Sequence, residues 1–91
     1  MFNKRSMPEI ILEILQTEGK RKTHIMYRTA LTYPQLTRYL DVLMDRGLIE
    51  KKADGSGGEV FKVTDRGHDL SKHLSLATSY LGLGDYDEKT A

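Results

Sequence analysis

Between Thr23 and Lys52 the chain is punctuated so closely that few arrangements remain open to it. Thr23 can cap a short helix bearing Ile25 and Met26, and Ala30-Leu31 reads as a tight turn with Leu31 tucked inward. Thr32-Tyr33-Pro34-Gln35 then has the spacing of a capping box, in which threonine and glutamine side chains satisfy each other's orphan backbone amides. Proline is tolerated there because the first turn of a helix has no intrahelical donor to lose. The helix so started runs to about Arg46 and stops at Gly47. Its Leu36, Leu40, Leu43 and Met44 share one face, with Tyr33 beside them. Arg38 lies opposite, flanked by Pro34, Asp41, Val42 and Asp45, with Gln35 at the border.

Ser6-Met7-Pro8-Glu9 repeats the capping logic ahead of Ile10, Ile11, Leu12, Ile14 and Leu15, and Gly19 supplies a stop. The apolar set covers more than half the wheel, which suits a helix with two neighbours, one of them open to a second subunit. Leu48–Lys52 and Glu59–Val63 read as strands, joined by the flexible connection ADGSGG from Ala53 to Gly58. Thr64 caps a fourth helix whose Leu70, Leu74, Ala77 and Leu81 form a narrow stripe, closer to a coiled-coil seam than to a broad globular face. That helix is about 17 residues long, or ~26 Å, which suits a compact helix pair and not a long rod.

Ninety-one residues make one small domain, a size at which a single core is marginal and a partner subunit commonly helps. There is no cysteine, so neither a disulfide framework nor a thiolate metal site is available. His24, His68 and His73 are scattered, fit no histidine metal cluster, and read as structural or solvated. No apolar run reaches the ~18 residues of a membrane span, and MFNKRSMPEIILEIL is too charged and too soon helical for a signal peptide. A cytoplasmic protein is expected. GSGG lies between strands, where a nucleotide-binding loop would precede a helix. No nucleophile–base–orienter set stands in the chain, so no enzyme, cofactor or small-molecule ligand is indicated.

The net charge of +1 conceals an asymmetry. Residues 1–52 carry ten Lys/Arg against six Asp/Glu, giving +4, while residues 53–91 carry four against seven, giving −3. Positive charge is thus gathered where helix, turn and helix follow one another, the order by which one helix edge is offered to the DNA major groove. A hairpin directly after such a pair is a wing.

The residues Lys22-Thr23-x-Ile25-Met26-Tyr27, Leu31-x-Tyr33-x-Gln35-Leu36, Tyr39-Leu40-x-x-Leu43 and Gly47-Leu48-Ile49 resemble those of archaeal winged-helix DNA-binding proteins and transcriptional regulators. Thr64-x-x-Gly67 after the second strand is also common among winged-helix regulators. The resemblance implies an α+β, mainly helical fold of three helices and a β-hairpin wing with an additional C-terminal dimerisation helix. It further implies double-stranded DNA as partner and, as in small chromatin-associated members, a homodimer made by an antiparallel C-terminal helix pair. The division expected is 1–63 for DNA binding, 64–82 for dimerisation and 83–91 as a flexible tail. Asp41 and Asp45 depart from this pattern, since they put negative charge on the outer side of the third helix, against approaching phosphate.

Tyr33, Pro34, Gln35, Thr37 and Arg38 form the edge expected to enter the groove. Gln35 can pair with adenine or merely cap its helix; Arg38 can fork onto guanine or a phosphate, or remain solvated. Tyr33 and Tyr39 are expected to pack on the core, with Tyr33 also placed to touch a phosphate or a thymine methyl. Lys20, Arg21, Lys22, Thr23 and Thr32 are candidate phosphate contacts near helix N-termini, and Arg28 is a further one on the exposed side of the short second helix. Lys51, Lys52 and Lys62 at the wing base are candidate clamps on the flanking backbone, whereas the loop itself has only an aspartate as charged group. The competing reading is a winged-helix protein-interaction module that uses the first helix and the C-terminal stripe, because fold alone does not fix function.

Overall fold

The element order is α1 (Met7–Leu15), α2 (Lys22–Thr29), α3 (Tyr33–Asp45), β1 (Ile49–Ala53), β2 (Glu59–Val63) and α4 (Asp65–Leu81). The structure, a computed structural model, describes residues 5–82; the tail expected over 83–91 lies outside the described residues. Both capping boxes are present, Ser6 with Glu9 on α1 and Thr32 with Gln35 on α3. Two helix boundaries depart from expectation. Helix α1 ends at Leu15, before Gly19, and the chain turns through a buried Thr17 whose Oγ1 donates to the Glu13 carbonyl at 2.7 Å. Helix α2 begins two residues early, with Arg21 at the cap and no side-chain capping bond, so Thr23 is an exposed first-turn residue and does not cap.

The α2–α3 turn is as expected. Ala30 takes a left-handed conformation (φ 58°) that reverses the chain, and Leu31 drops into the core. Helix α3 buries Leu36, Leu40 and Leu43, as its spacing requires, against Ile10, Ile14 and Leu15 of α1, Ile25 of α2, and Leu48, Ile49, Phe61 and Val63 of the hairpin. Tyr39 packs partly on this core, but Tyr33 does not, being 54% exposed.

Strands β1 and β2 pair antiparallel from Ile49↔Val63 to Ala53↔Glu59. The outer edge of β2 is also covered: Gly19 N donates to the Phe61 carbonyl at 2.8 Å, and Phe61 N to the Lys20 carbonyl at 2.9 Å. This bridge carries the Lys20–Lys22 segment alongside the wing.

Helix α1 finds both neighbours within its own chain, α2 and α4. The α4 stripe is divided. Leu70 and Leu74 are partly buried against the core, whereas Ala77 and Leu81 are exposed. The N-terminus of α4 is held by Thr64, whose N–H donates to the Leu48 carbonyl at 3.1 Å. Its hydroxyl donates to the Gly47 carbonyl at 2.6 Å and accepts from Gly67 N at 3.0 Å.

Candidate nucleic-acid interface

Helix α3 presents a polar edge because its three buried leucines take up the opposite side. Pro34, Gln35 and Arg38 are exposed on that edge, and no side chain among the described residues bonds to the Arg38 guanidinium. Gln35 is only half free. Its Oε1 accepts from Thr32 N at 3.0 Å, while its own N–H reaches Thr32 Oγ1 at 3.3 Å. Capping thus occupies the amide oxygen and leaves the NH2 as an outward donor.

Lys22 joins α2 to this edge. Its ammonium lies 3.9 Å from the centre of the Tyr33 ring and donates to Thr37 Oγ1 at 2.6 Å. Thr37 Oγ1 in turn donates to the Tyr33 carbonyl at 2.9 Å. The ring's negative face and the hydroxyl fix the cation in place, and an ammonium has three N–H donors, of which these contacts use one in a hydrogen bond. The Tyr33 ring, outside the core, is the floor under Lys22.

Arg21 is differently placed. Its guanidinium pairs with Asp54 (Nε to Oδ2 2.9 Å, with Nη2 on the same oxygen) and reaches Ser56 Oγ at 2.7 Å. Asp54 Oδ1 also accepts from Ser56 N at 2.9 Å and from Gly58 N at 3.1 Å. The connection Ala53–Gly58, expected to be merely flexible, is therefore a side-chain-stabilised turn buckled to the start of α2, and Ala53 belongs to β1. The Ser56 backbone N–H first, then its hydroxyl, with Arg21 and Gly58 adding to them, hold the Asp54 carboxyl well below the usual carboxylate range. An Asp whose side chain bonds backbone two residues on is a recognised turn device; Asp54-Gly55-Ser56 carried that signal in the sequence. Its partner Arg21 did not, lying 33 positions away.

The remaining candidates fall into two groups. Lys20, Arg28, Lys52 and Lys62 are exposed without a bonded side-chain partner among the described residues, and Thr23 is exposed on the first turn of α2. Lys51 lies 3.9 Å from Glu59. Strand pleating splits the wing lysines: Lys51 shares a face with Phe61, its register partner, while Lys52 and Lys62 share the other face with Glu50 and Val60. The structure therefore gathers Lys22, Thr32, Tyr33, Pro34, Gln35, Thr37 and Arg38 around the start of α3, places Lys20 beside β2 of the wing, and leaves Lys51 on the opposite wing face from Lys52 and Lys62. His68 Nε2 lies 2.9 Å from Glu18 Oε1, a link between α4 and the loop after α1, away from this corner.

A sequence profile described as winged helix-turn-helix matches residues 4–80. The chain belongs to that family. An uncharacterised protein of Methanocaldococcus jannaschii is 38% identical over 74 residues, covering 78% of this chain and 71% of its own. The winged-helix fold also matches Sso10a-2, a DNA-binding protein from Sulfolobus solfataricus, with a TM-score of 0.74 at 24% identity over 94% of this chain and 93% of that one. The PcaV transcriptional regulator of Streptomyces coelicolor matches with a TM-score of 0.70 at 22% identity, over 96% of this chain and 67% of that one. At these identities the two structures speak for the fold. No helix among the described residues is long and apolar enough to cross a membrane.

Proposed function

We propose that this winged-helix protein binds duplex DNA, without catalysing a reaction, as a homodimeric transcriptional regulator or small chromatin component. The observation that carries this reading is the exposed Pro34–Gln35–Arg38 edge beside the Lys22–Tyr33–Thr37 cluster, a helix end bearing free donors that no described residue covers. Inserting the N-terminal part of α3 in the major groove sets Lys20, Lys22, Thr23, Arg28 and Thr32 toward phosphates. Lys51, Lys52 and Lys62 then flank the site as candidate backbone contacts, while Arg21 acts by holding the wing turn. That Sso10a-2 is a DNA-binding protein supports the assignment.

In this reading residues 1–63 carry the DNA face, residues 64–82 the dimer contact, and residues 83–91 a tail. The exposed end of α4 supports a second subunit there: Ala77 and Leu81 continue the stripe, and Leu76 and Tyr80 beside them are 60% and 84% exposed. The same apolar end is what favours the second reading, a protein-interaction module with a different partner and no DNA contact.

A band-shift titration with genomic and random duplexes at two salt concentrations tests the proposal. Neutralising phosphates releases counterions, so affinity should fall steeply with salt. Absence of retention on any duplex at about 0.1 M salt rejects DNA binding and leaves the interaction module.

A further inference from the structure

The exposed stripe of α3 does not carry the charge of a surface made to coat DNA. At ~100° per residue, Pro34, Gln35, Asp41, Val42 and Asp45 all fall within about 60° of Arg38. One cation and two carboxylates therefore share this face, and all three side chains are exposed without a bonded partner among the described residues. Other exposed cations belong to other elements, Arg28 to α2, Lys20 to the segment bridged to β2, and Lys52 and Lys62 to the wing strands, while Arg46 stands at the far end of α3 as its C-cap. Sequence-independent binding comes almost wholly from phosphate neutralisation, and a carboxylate in the centre of the contact face opposes it. Base edges have different needs: the major groove displays acceptors on guanine and amino donors on cytosine and adenine, so reading them takes both donors and acceptors.

The side chains supply that mixture. The Gln35 amide oxygen is held by Thr32 N at 3.0 Å, so Gln35 offers its donor. Arg38 offers the guanidinium fork. Asp41 lies three residues further along, ~4.5 Å up the axis, little more than a base step of ~3.4 Å, and presents acceptors only. Val42, 48% exposed on the same face, is positioned to meet a thymine methyl.

We infer that α3 reads sequence, with Asp41 as a specificity-determining residue that accepts from the exocyclic amino group of cytosine or adenine next to a guanine bound by Arg38. The inference rests on the duplex binding proposed above. Asp41 also repels phosphate when the helix lies out of register, so it lowers affinity for wrong duplexes as well as raising it for the right one.

Selection from a random duplex library, followed by titration of selected and scrambled duplexes, tests the inference. Wild-type protein should enrich one motif in which the position next to a guanine carries cytosine or adenine, and not guanine or thymine, on one fixed strand. Asp41→Ala should cut the ratio of selected to scrambled affinity about tenfold, within the span of one good base contact, by weakening the former and leaving the latter equal or tighter. Asp41→Asn should change which base is enriched at one position. Tighter binding of Asp41→Ala to both duplexes by one common factor overturns the inference, since Asp41 would then be repulsive alone. Strong duplex binding by wild type with no enriched motif also overturns it while sparing the proposed function; no duplex binding at all overturns both.

Discussion

Gly67 is the position at which one added methyl group should do most damage. A Cβ there would meet the Leu48 carbonyl oxygen at 2.1 Å and Val63 Cγ1 at 2.7 Å, where ordinary contact is 3.4–4 Å. The obstacle is backbone, so no rotamer change relieves it; α4 must move away by roughly 1 Å, and crowding of this kind costs about 1–3 kcal/mol or more. Moving α4 also strains the bonds from Thr64 to the Leu48 and Gly47 carbonyls, each worth about 1 kcal/mol. Alanine returns only ~1 kcal/mol through its better helix propensity. Gly67→Ala should therefore lose about 3 kcal/mol net, or ~12–24 °C in Tm for a domain of this size. Thermal melts followed by circular dichroism, with urea unfolding alongside, measure it. Gly58→Ala is the control: its Cβ would meet only the movable guanidinium of Arg21, at 2.8 Å, and should cost much less. A Gly67→Ala protein that melts at or above the wild-type temperature refutes the seating of α4 on Leu48.

Other perturbations separate the roles of the remaining groups. Arg38→Ala should weaken duplex binding by about 1–3 kcal/mol, the range for a base contact; unchanged titration curves on every duplex would assign Arg38 to solvent. Asp54 has a depressed pKa, so its stabilising bonds are fully present above the ordinary carboxylate value of about 4 and are lost as pH falls below it. The Tm difference between wild type and Asp54→Asn should accordingly be largest at neutral pH and close in acid; a gap that widens in acid contradicts the buckle. Leu81→Glu should convert a dimer to a monomer in sedimentation or light scattering with little loss of Tm, because Leu81 lies outside the core. Retention of dimer mass would move the contact away from the end of α4.

How far the fold could be read from the residues depends on the range of the forces that set each part. Both capping boxes and the leucine face of α3 were legible because each involves residues within one or a few turns, where spacing dictates geometry. Helix α1 stopped short of Gly19 because Thr17 turned inward, a tertiary choice that a glycine signal cannot foresee. Tyr33 looked like a core residue by its angle on the wheel. It is the first residue of α3, and its exposed ring instead meets the ammonium of Lys22, eleven residues earlier.

The α4 stripe shows most clearly where periodicity runs out. Leu70, Leu74, Ala77 and Leu81 repeat as a seam should, yet periodicity says only that something apolar lies alongside, not which chain supplies it. Within one subunit α1 supplies it for the first half, and α1 is only nine residues long. Nine residues span ~13.5 Å against ~25.5 Å for the 17 of α4, so about half of the longer helix must extend past its neighbour. The end that extends carries Leu76, Ala77, Tyr80 and Leu81. If α4 pairs with its copy through that end alone, the two α3 helices are spaced by the length of α4 that α1 leaves uncovered. Lengthening α4 by a full turn between Thr78 and Leu81 should then alter the preferred half-site separation while leaving the affinity of each half-site alone.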